Sequence, residues 1–223
     1  DYASELSFQK WGAFAQASTS VFNNKLVLSF GVRTDANNYV KEMQNLLNQL
    51  SPRLSASFKL TNKWSLNFNT GIYYQLPAYT VLGYTDEENN FVNKQNGITY
   101  IQSKHLVAGT EYRPNNYLRF TLEGFYKTYQ NYPFSLRDSI SLANQGADFG
   151  VIGDEPVTST SNGRSYGVEL LAQQKLNRDF YGILAVTYVV SEFEDKSGNF
   201  APSAWDNRTI IALTAGKKFK HNW

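Results

Sequence analysis

The chain has 223 residues, with 21 Lys and Arg against 19 Asp and Glu, for a net charge of +2. That balance excludes a nucleic-acid partner, which needs a concentrated basic surface, and the absence of Cys excludes a disulfide framework and a thiolate metal site. Mean hydropathy is −0.43 and no apolar run nears the ~20 residues of a membrane helix, yet aromatics reach 15%, the mixture expected of strands with one apolar face and aromatic girdles.

The start, Asp1-Tyr2-Ala3-Ser4-Glu5, carries neither a basic n-region nor an apolar h-region. The sequence is therefore expected to begin after a removed signal peptide or inside a longer chain. About nine runs of period-two alternation follow, bounded by turn residues. Residues 26–33 set Leu26, Leu28, Phe30 and Val32 against Val27, Ser29, Gly31 and Arg33. In 53–60, Leu54, Ala56, Phe58 and Leu60 alternate with Arg53, Ser55, Ser57 and Lys59. The clearest run, 64–74, sets Trp64, Leu66, Phe68, Thr70, Ile72 and Tyr74 against Ser65, Asn67, Asn69, Gly71 and Tyr73. In 118–127, Leu118, Phe120, Leu122, Gly124 and Tyr126 oppose Arg119, Thr121, Glu123, Phe125 and Lys127. Every charge in these four runs falls on one face. Runs 106–112, 166–176, 181–191 and 207–219 alternate less cleanly. The stretch Tyr181 to Val190 is apolar on both faces, so it is either a buried strand of a soluble core or a barrel strand touching an apolar object inside the lumen.

The connections alternate in length. Short turns fall at 22–25, 61–63, 113–116 and 177–179, and long polar segments at about 36–50, 76–103, 130–163 and 192–204. A transmembrane barrel has tight turns at one rim and long extracellular loops at the other. Phe22, Trp64, Tyr117, Phe180, Tyr181, Phe219 and Trp223 flank the short turns. Tyr74, Tyr126, Tyr129, Tyr132, Tyr188 and Trp205 lie towards the long loops, as interfacial rings do. These features predict an all-β fold, an antiparallel transmembrane β-barrel wall of about nine strands.

Ser51 to Phe58, Gly71-Ile72-Tyr73-Tyr74-Gln75-Leu76-Pro77, His105 through Arg113-Pro114-Asn115, Glu123 to Tyr129, Gly163 to Leu170 and Trp205-Asp206-Asn207-Arg208 together resemble the TonB-dependent receptors of the Bacteroidetes type. The resemblance covers nearly the whole chain. It implies an outer-membrane transporter, a plugged barrel of about 22 strands that takes up a scarce nutrient with energy delivered by TonB. Residues 1–223 resemble the later barrel only, which implies that the wall is partial, a sector of a larger barrel. No plug domain, TonB-box segment or carboxypeptidase-like domain is recognisable, so the chain is expected to be a portion of a larger protein. Trp223 resembles the terminal aromatic of many barrels, but Lys220-His221-Asn222-Trp223 reads better as a turn opening the next strand, like Asn62-Lys63-Trp64. Implied partners are outer-membrane lipids, a small nutrient ligand, the TonB complex through an upstream region, and a surface lipoprotein.

Functional residues follow from this reading. Ligand contact is expected from loop aromatics, with Tyr79, Tyr84, Tyr100, Tyr129, Tyr132 and Trp205 as candidates, since rings bind ligands through their faces; packing within the loops is the competing role. Arg53, Asn67, Asn69, Arg119, Glu123, Glu169, Asp206 and Arg208 are expected to face the lumen or plug. No enzyme is expected, because neither His105 nor His221 has a partner for a Ser-His-Asp arrangement. Gly146 to Gly153 has no helix after it and makes no phosphate loop. Asp86-Glu87-Glu88-Asn89-Asn90 offers oxygen ligands but reads better as a solvated tip. No metal or cofactor is expected. Met43, Leu46, Leu47 and Leu50 follow helical spacing, which predicts a short helix over 41–50. A passive porin or adhesin barrel is the alternative function; a soluble all-β module is the third.

Overall fold

Alternation at period two is realised as one antiparallel meander. The computed structural model describes residues 4–146 and 152–219. Its strands are β1 (Lys10–Val21), β2 (Leu26–Asn37), β3 (Ser51–Lys59), β4 (Trp64–Gln75), β5 (Ile101–Tyr112), β6 (Leu118–Ser135), β7 (Val157–Asn177), β8 (Phe180–Glu194), β9 (Phe200–Pro202) and β10 (Arg208–Lys217). Each pairs with the next in sequence, except that β10 pairs with β8 while the three-residue β9 adds to the upper part of β8. The all-β antiparallel reading holds. His221, Trp223 and most of 146–153 lie outside the described residues.

The register assigns two faces. On one, Phe30 of β2, Leu54 of β3, Thr70 of β4, Leu106 of β5, Tyr126 of β6 and Tyr166 of β7 are successive cross-strand partners. A second row, two residues along each strand, runs through Leu28, Ala56, Phe68, Ala108, Gly124, Val168 and Tyr188. These rows carry no charge, and all of their large side chains except half-buried Leu28 are exposed. Charges return on this face only near its ends, at Lys104, Arg164 and Glu192 beyond the tyrosines and at Lys217 beside Phe180. Tyr126 and Tyr166 stack there with ring centroids 6.2 Å apart. Arg164 pairs with Glu192 at 2.8 Å, one pleat beyond. An exposed apolar band edged by rings and then by charges is the profile of a surface immersed in lipid.

The apolar core is therefore not between sheets. It lies at the long-loop end, where Tyr39, Met43, Val81, Leu82, Ile98, Tyr100, Leu142 and Val157 pack together. Three loops are shorter than the sequence suggests, 38–50, 76–100 and 136–156, and the fourth is shifted to 195–207, with β9 inside it. Strands β6, β7 and β8 have 18, 21 and 15 residues, more than the ~9–11 that cross a bilayer. Their polar upper ends, such as Val157-Thr158-Ser159-Thr160-Ser161, look like loop in sequence yet continue the ladder. The expected helix over 41–50 is instead two 3₁₀ turns, Lys41–Met43 and Leu46–Gln49. Asn45 separates them by accepting from the Leu47 amide at 3.0 Å, and only Met43 of the four spaced residues is buried. Two short helices, α1 (Tyr79–Leu82) and α2 (Val92–Gln95), were not anticipated.

Candidate functional site

Four long loops make one structure. The Tyr39 hydroxyl donates to the Leu82 carbonyl at 2.6 Å, tying 38–50 to 76–100. Burial pushes the Tyr39 hydroxyl up to about 12, so it stays a donor. Asn93, fully buried, donates to the carbonyls of Val81 and Glu155 at 2.7 and 2.9 Å and accepts from the Val157 amide at 2.7 Å. Asn144 donates to the Ala201 and Pro202 carbonyls, both at 2.9 Å, which joins 136–156 to 195–207. Buried Glu155 accepts from Ser135 and from Gln145, the latter at 2.9 Å. Asp86 is occupied by its own tip: it accepts from the Glu88 and Asn90 amides at 3.0 and 2.8 Å, which lowers its carboxyl below the usual range. No cluster of potential metal ligands occurs among the described residues.

Among the ligand candidates, three converge. Phe193 projects from β8 and is 1% exposed. Tyr129 stacks on it at 5.3 Å, Tyr132 leans against it at 4.7 Å and Trp205 meets it edge-on at 6.1 Å. Trp205 itself remains 47% exposed, so the cluster presents one indole outward. Phe193 was missed because β8 was expected to end at 191; its odd-numbered phase with Tyr181, Ile183 and Val189 is the signal that finds it. Its cross-strand partner is Gly163, and a Cβ there would lie 2.4 Å from the Phe193 ring. Gly163→Val is expected to push Phe193 aside, cost about 1–3 kcal/mol and alter Trp205 fluorescence in the folded protein; an unchanged spectrum and midpoint would refute the close approach.

The other candidates sit apart. Tyr79 is exposed, hydrogen-bonded to Lys10, whose ammonium lies 4.8 Å from its ring, and packed on Phe8 at 6.1 Å. Tyr84 is half-buried at the base of a short hairpin, its carbonyl accepting from the Val92 amide at 3.1 Å. Tyr100 is a core residue, 5% exposed, and accepts from Asn37 at 2.9 Å.

The charged face of the wall has its own pattern. Arg53, Asn67, Asn69, Arg119, Glu123, Glu169 and Arg208 all project from it. The Arg53 guanidinium lies 4.5 Å from the Tyr73 ring, which packs on His105 at 4.4 Å. His105 does have a partner, Ser103, at 2.7 Å; residues two apart on a strand share a face. That pair faces Arg53 and Lys127 across the register, through Gly71 and directly, and lacks the carboxylate of a catalytic triad. Asn67 accepts from Ser57 at 2.9 Å. Arg119 and Arg113 both bind Glu111, at 2.6 and 2.8 Å. Asp206 is held by the Ser191 amide and Arg208, each at 2.9 Å. Glu123 stands directly opposite Glu169, and neither has a cation partner among the described residues. The same face also exposes Tyr181 and Ile183 towards the short-turn end, at 46% and 40%, and Ile210 towards the long-loop end, at 44%.

Comparisons with known proteins agree with this architecture. The profile of the family described as TonB dependent receptor-like, beta-barrel matches residues 1–214. No curated protein matches the chain in sequence. Among solved structures, the pyoverdine outer membrane receptor FpvA from Pseudomonas aeruginosa PAO1 superposes with TM-score 0.66 at 16% identity, over 96% of this chain and 29% of that one. The alcaligin outer membrane receptor FauA from Bordetella pertussis gives 0.59 at 14% identity, covering 93% and 34%. The FrpB iron transporter from Neisseria meningitidis gives 0.60 at 13%, covering 93% and 29%. The chain thus spans about a third or less of each matched structure, and at these identities the likeness is one of fold.

Proposed function

The chain belongs to the TonB-dependent receptor-like β-barrel family, a family of the outer membrane, and on that premise we propose that it supplies barrel wall and extracellular loops to an active transporter of a small nutrient ligand. In this reading the uncharged face meets lipid and the charged face lines the lumen. The plug and the TonB-contacting segment come from outside these residues, as does the rest of the wall, because the free sides of β1 and β10 are not viable in lipid. No catalytic role is proposed.

The exposed Tyr181, Ile183 and Ile210 on the lumenal face carry the choice of a plugged transporter over a passive porin. A water-filled pore would leave these apolar side chains wet; a plug covers them. The opposed carboxylates Glu123 and Glu169 add support, since directly opposite like charges destabilise a sheet and invite a cationic group from whatever fills the lumen. Ligand engages from above, where Trp205 stands on the Phe193 cluster. The Bacteroidetes-type resemblance adds a surface lipoprotein as a partner over the loops.

In cells producing the full-length protein, deleting TonB is expected to leave ligand binding at the surface intact and to reduce accumulation to that of the receptor-deleted strain. A filled lumen separates binding from passage. Uptake at the normal rate without TonB would overturn the active reading and leave the porin. Deleting loop 136–156 should instead weaken surface binding itself.

A further inference from the structure

Ion pairs occur at both ends of the sheet: Arg33 with Asp35, Arg137 with Glu155, Arg164 with Glu192 and Arg208 with Asp206 towards the long loops, and Arg113 and Arg119 with Glu111 towards the short turns. At the short-turn end, Lys25, Lys63, Arg178, Lys217 and Lys218 are all exposed, and none has an ion-pair partner among the described residues. Asp179 is the one carboxylate in these turns.

Their placement is specific. Lys25 and Lys63 close the turns after Phe22 and before Trp64. Arg178 occupies a two-residue turn before Phe180. Lys217 is the cross-strand partner of Phe180, on the uncharged face, with its ammonium 5.5 Å from the Phe219 ring. The Lys218 amide donates to the Asp179 carbonyl at 2.7 Å, which draws Lys217 and Lys218 against the Arg178 turn. Exposed Phe22, Trp64, Phe180 and Phe219 therefore form the edge of the apolar band, and a row of unpaired cations stands one step outside it. One step beyond a ring girdle is headgroup depth, and short turns mark the periplasmic rim of such barrels.

We propose that this basic short-turn rim is a binding surface for the anionic headgroups of phospholipids in the periplasmic leaflet, fixing the depth and tilt of this sector of the barrel. The proposal rests on the barrel reading above. Cations near an anionic lipid surface gain from each headgroup charge, and long basic side chains beside rings keep their stems on apolar surface while their ends reach outward.

The test uses the full-length protein, released by mass spectrometry from nanodiscs of mixed phosphatidylglycerol and phosphatidylcholine. Wild type should retain phosphatidylglycerol in preference. Lys25→Gln/Lys63→Gln/Arg178→Gln/Lys217→Gln should lower that preference at least roughly fivefold, whereas Lys41→Gln/Lys94→Gln/Lys196→Gln in the loops should leave it unchanged. A rim variant with arginine at the three lysines keeps the charge and should keep the preference, so loss there would point to shape and overturn the proposal. Equal retention of both lipids by wild type would also overturn it. Inorganic phosphate that displaces phosphatidylglycerol at low millimolar concentration would mark a free-anion site and overturn the lipid assignment. Heat-modifiable migration of each variant on gels reports the folded barrel, so failure of lipid preference in a folded protein leaves the transport reading standing.

Discussion

Phe68→Arg is expected to destabilise the folded barrel by about 2–4 kcal/mol, while Asn69→Arg, one residue along, costs little. Phe68 lies on the uncharged face between Ala56 and Ala108, two pleats from the Trp64 ring at the band's edge. An arginine there reaches neither interface. Asn69 lies on the opposite face between Ser55 and Val107, where a guanidinium finds polar neighbours. Leu66→Arg should fall between them, because its guanidinium can extend past Trp64 to the headgroups. The measurement is unfolding of the full-length protein in lipid vesicles. Equal costs for Phe68→Arg and Asn69→Arg, or the reverse order, would exchange the two faces and remove the basis for a lipid-facing wall.

Asn93→Ala should have the largest effect above the membrane. It removes three hydrogen bonds at once and leaves the Val157 amide and the carbonyls of Val81 and Glu155 buried without that partner. At about 1–3 kcal/mol for each buried group left unsatisfied, a loss of roughly 3 kcal/mol from the loop assembly is a conservative expectation. Hydrogen exchange should accelerate in 76–100 and 136–156 together, with the middle of β4 and β5 unchanged. Acceleration confined to 76–100 would show that the asparagine does not join the two loops. Asn93→Asp should not rescue, because a carboxylate keeps an acceptor for the Val157 amide but offers nothing to the two carbonyls.

The architecture was legible because it depends on local features. Alternation in 64–74 gave β4 and its two faces directly, since a strand has no other way to bury one side and wet the other. The alternation of short and long connections gave the two rims. Strand ends were not legible. Pro133-Phe134-Ser135 and Val157 to Ser161 pair with one another, yet their serines and threonines carry no apolar rhythm once the strand leaves the bilayer. The expected helix over 41–50 failed for a related reason: spacing alone says nothing of Asn45, whose side chain captures the next turn's amide. Within the candidate site, Tyr129, Tyr132 and Trp205 were found by residue type, but what unites them, Phe193 over Gly163, depends on long-range register. Tyr100 shows the limit of residue type, since a loop tyrosine serves a core as readily as a ligand.

The stitching of the four loops has a mechanical corollary. Asn93, Asn144 and Tyr39 remove the independence that long loops ordinarily have. Individual loops cannot move apart from one another without breaking these bonds. Any closure has to be a rigid-body tilt of the whole superstructure on the wall. The natural pivot is the register shift in β6 between Tyr129 and Tyr132, where Asn131 takes a left-handed φ of 58° and a ladder already interrupted can absorb rotation. That pivot lies beside Phe193. Rotation there would be felt at once along β6 and β7, the strands that carry Glu123 and Glu169.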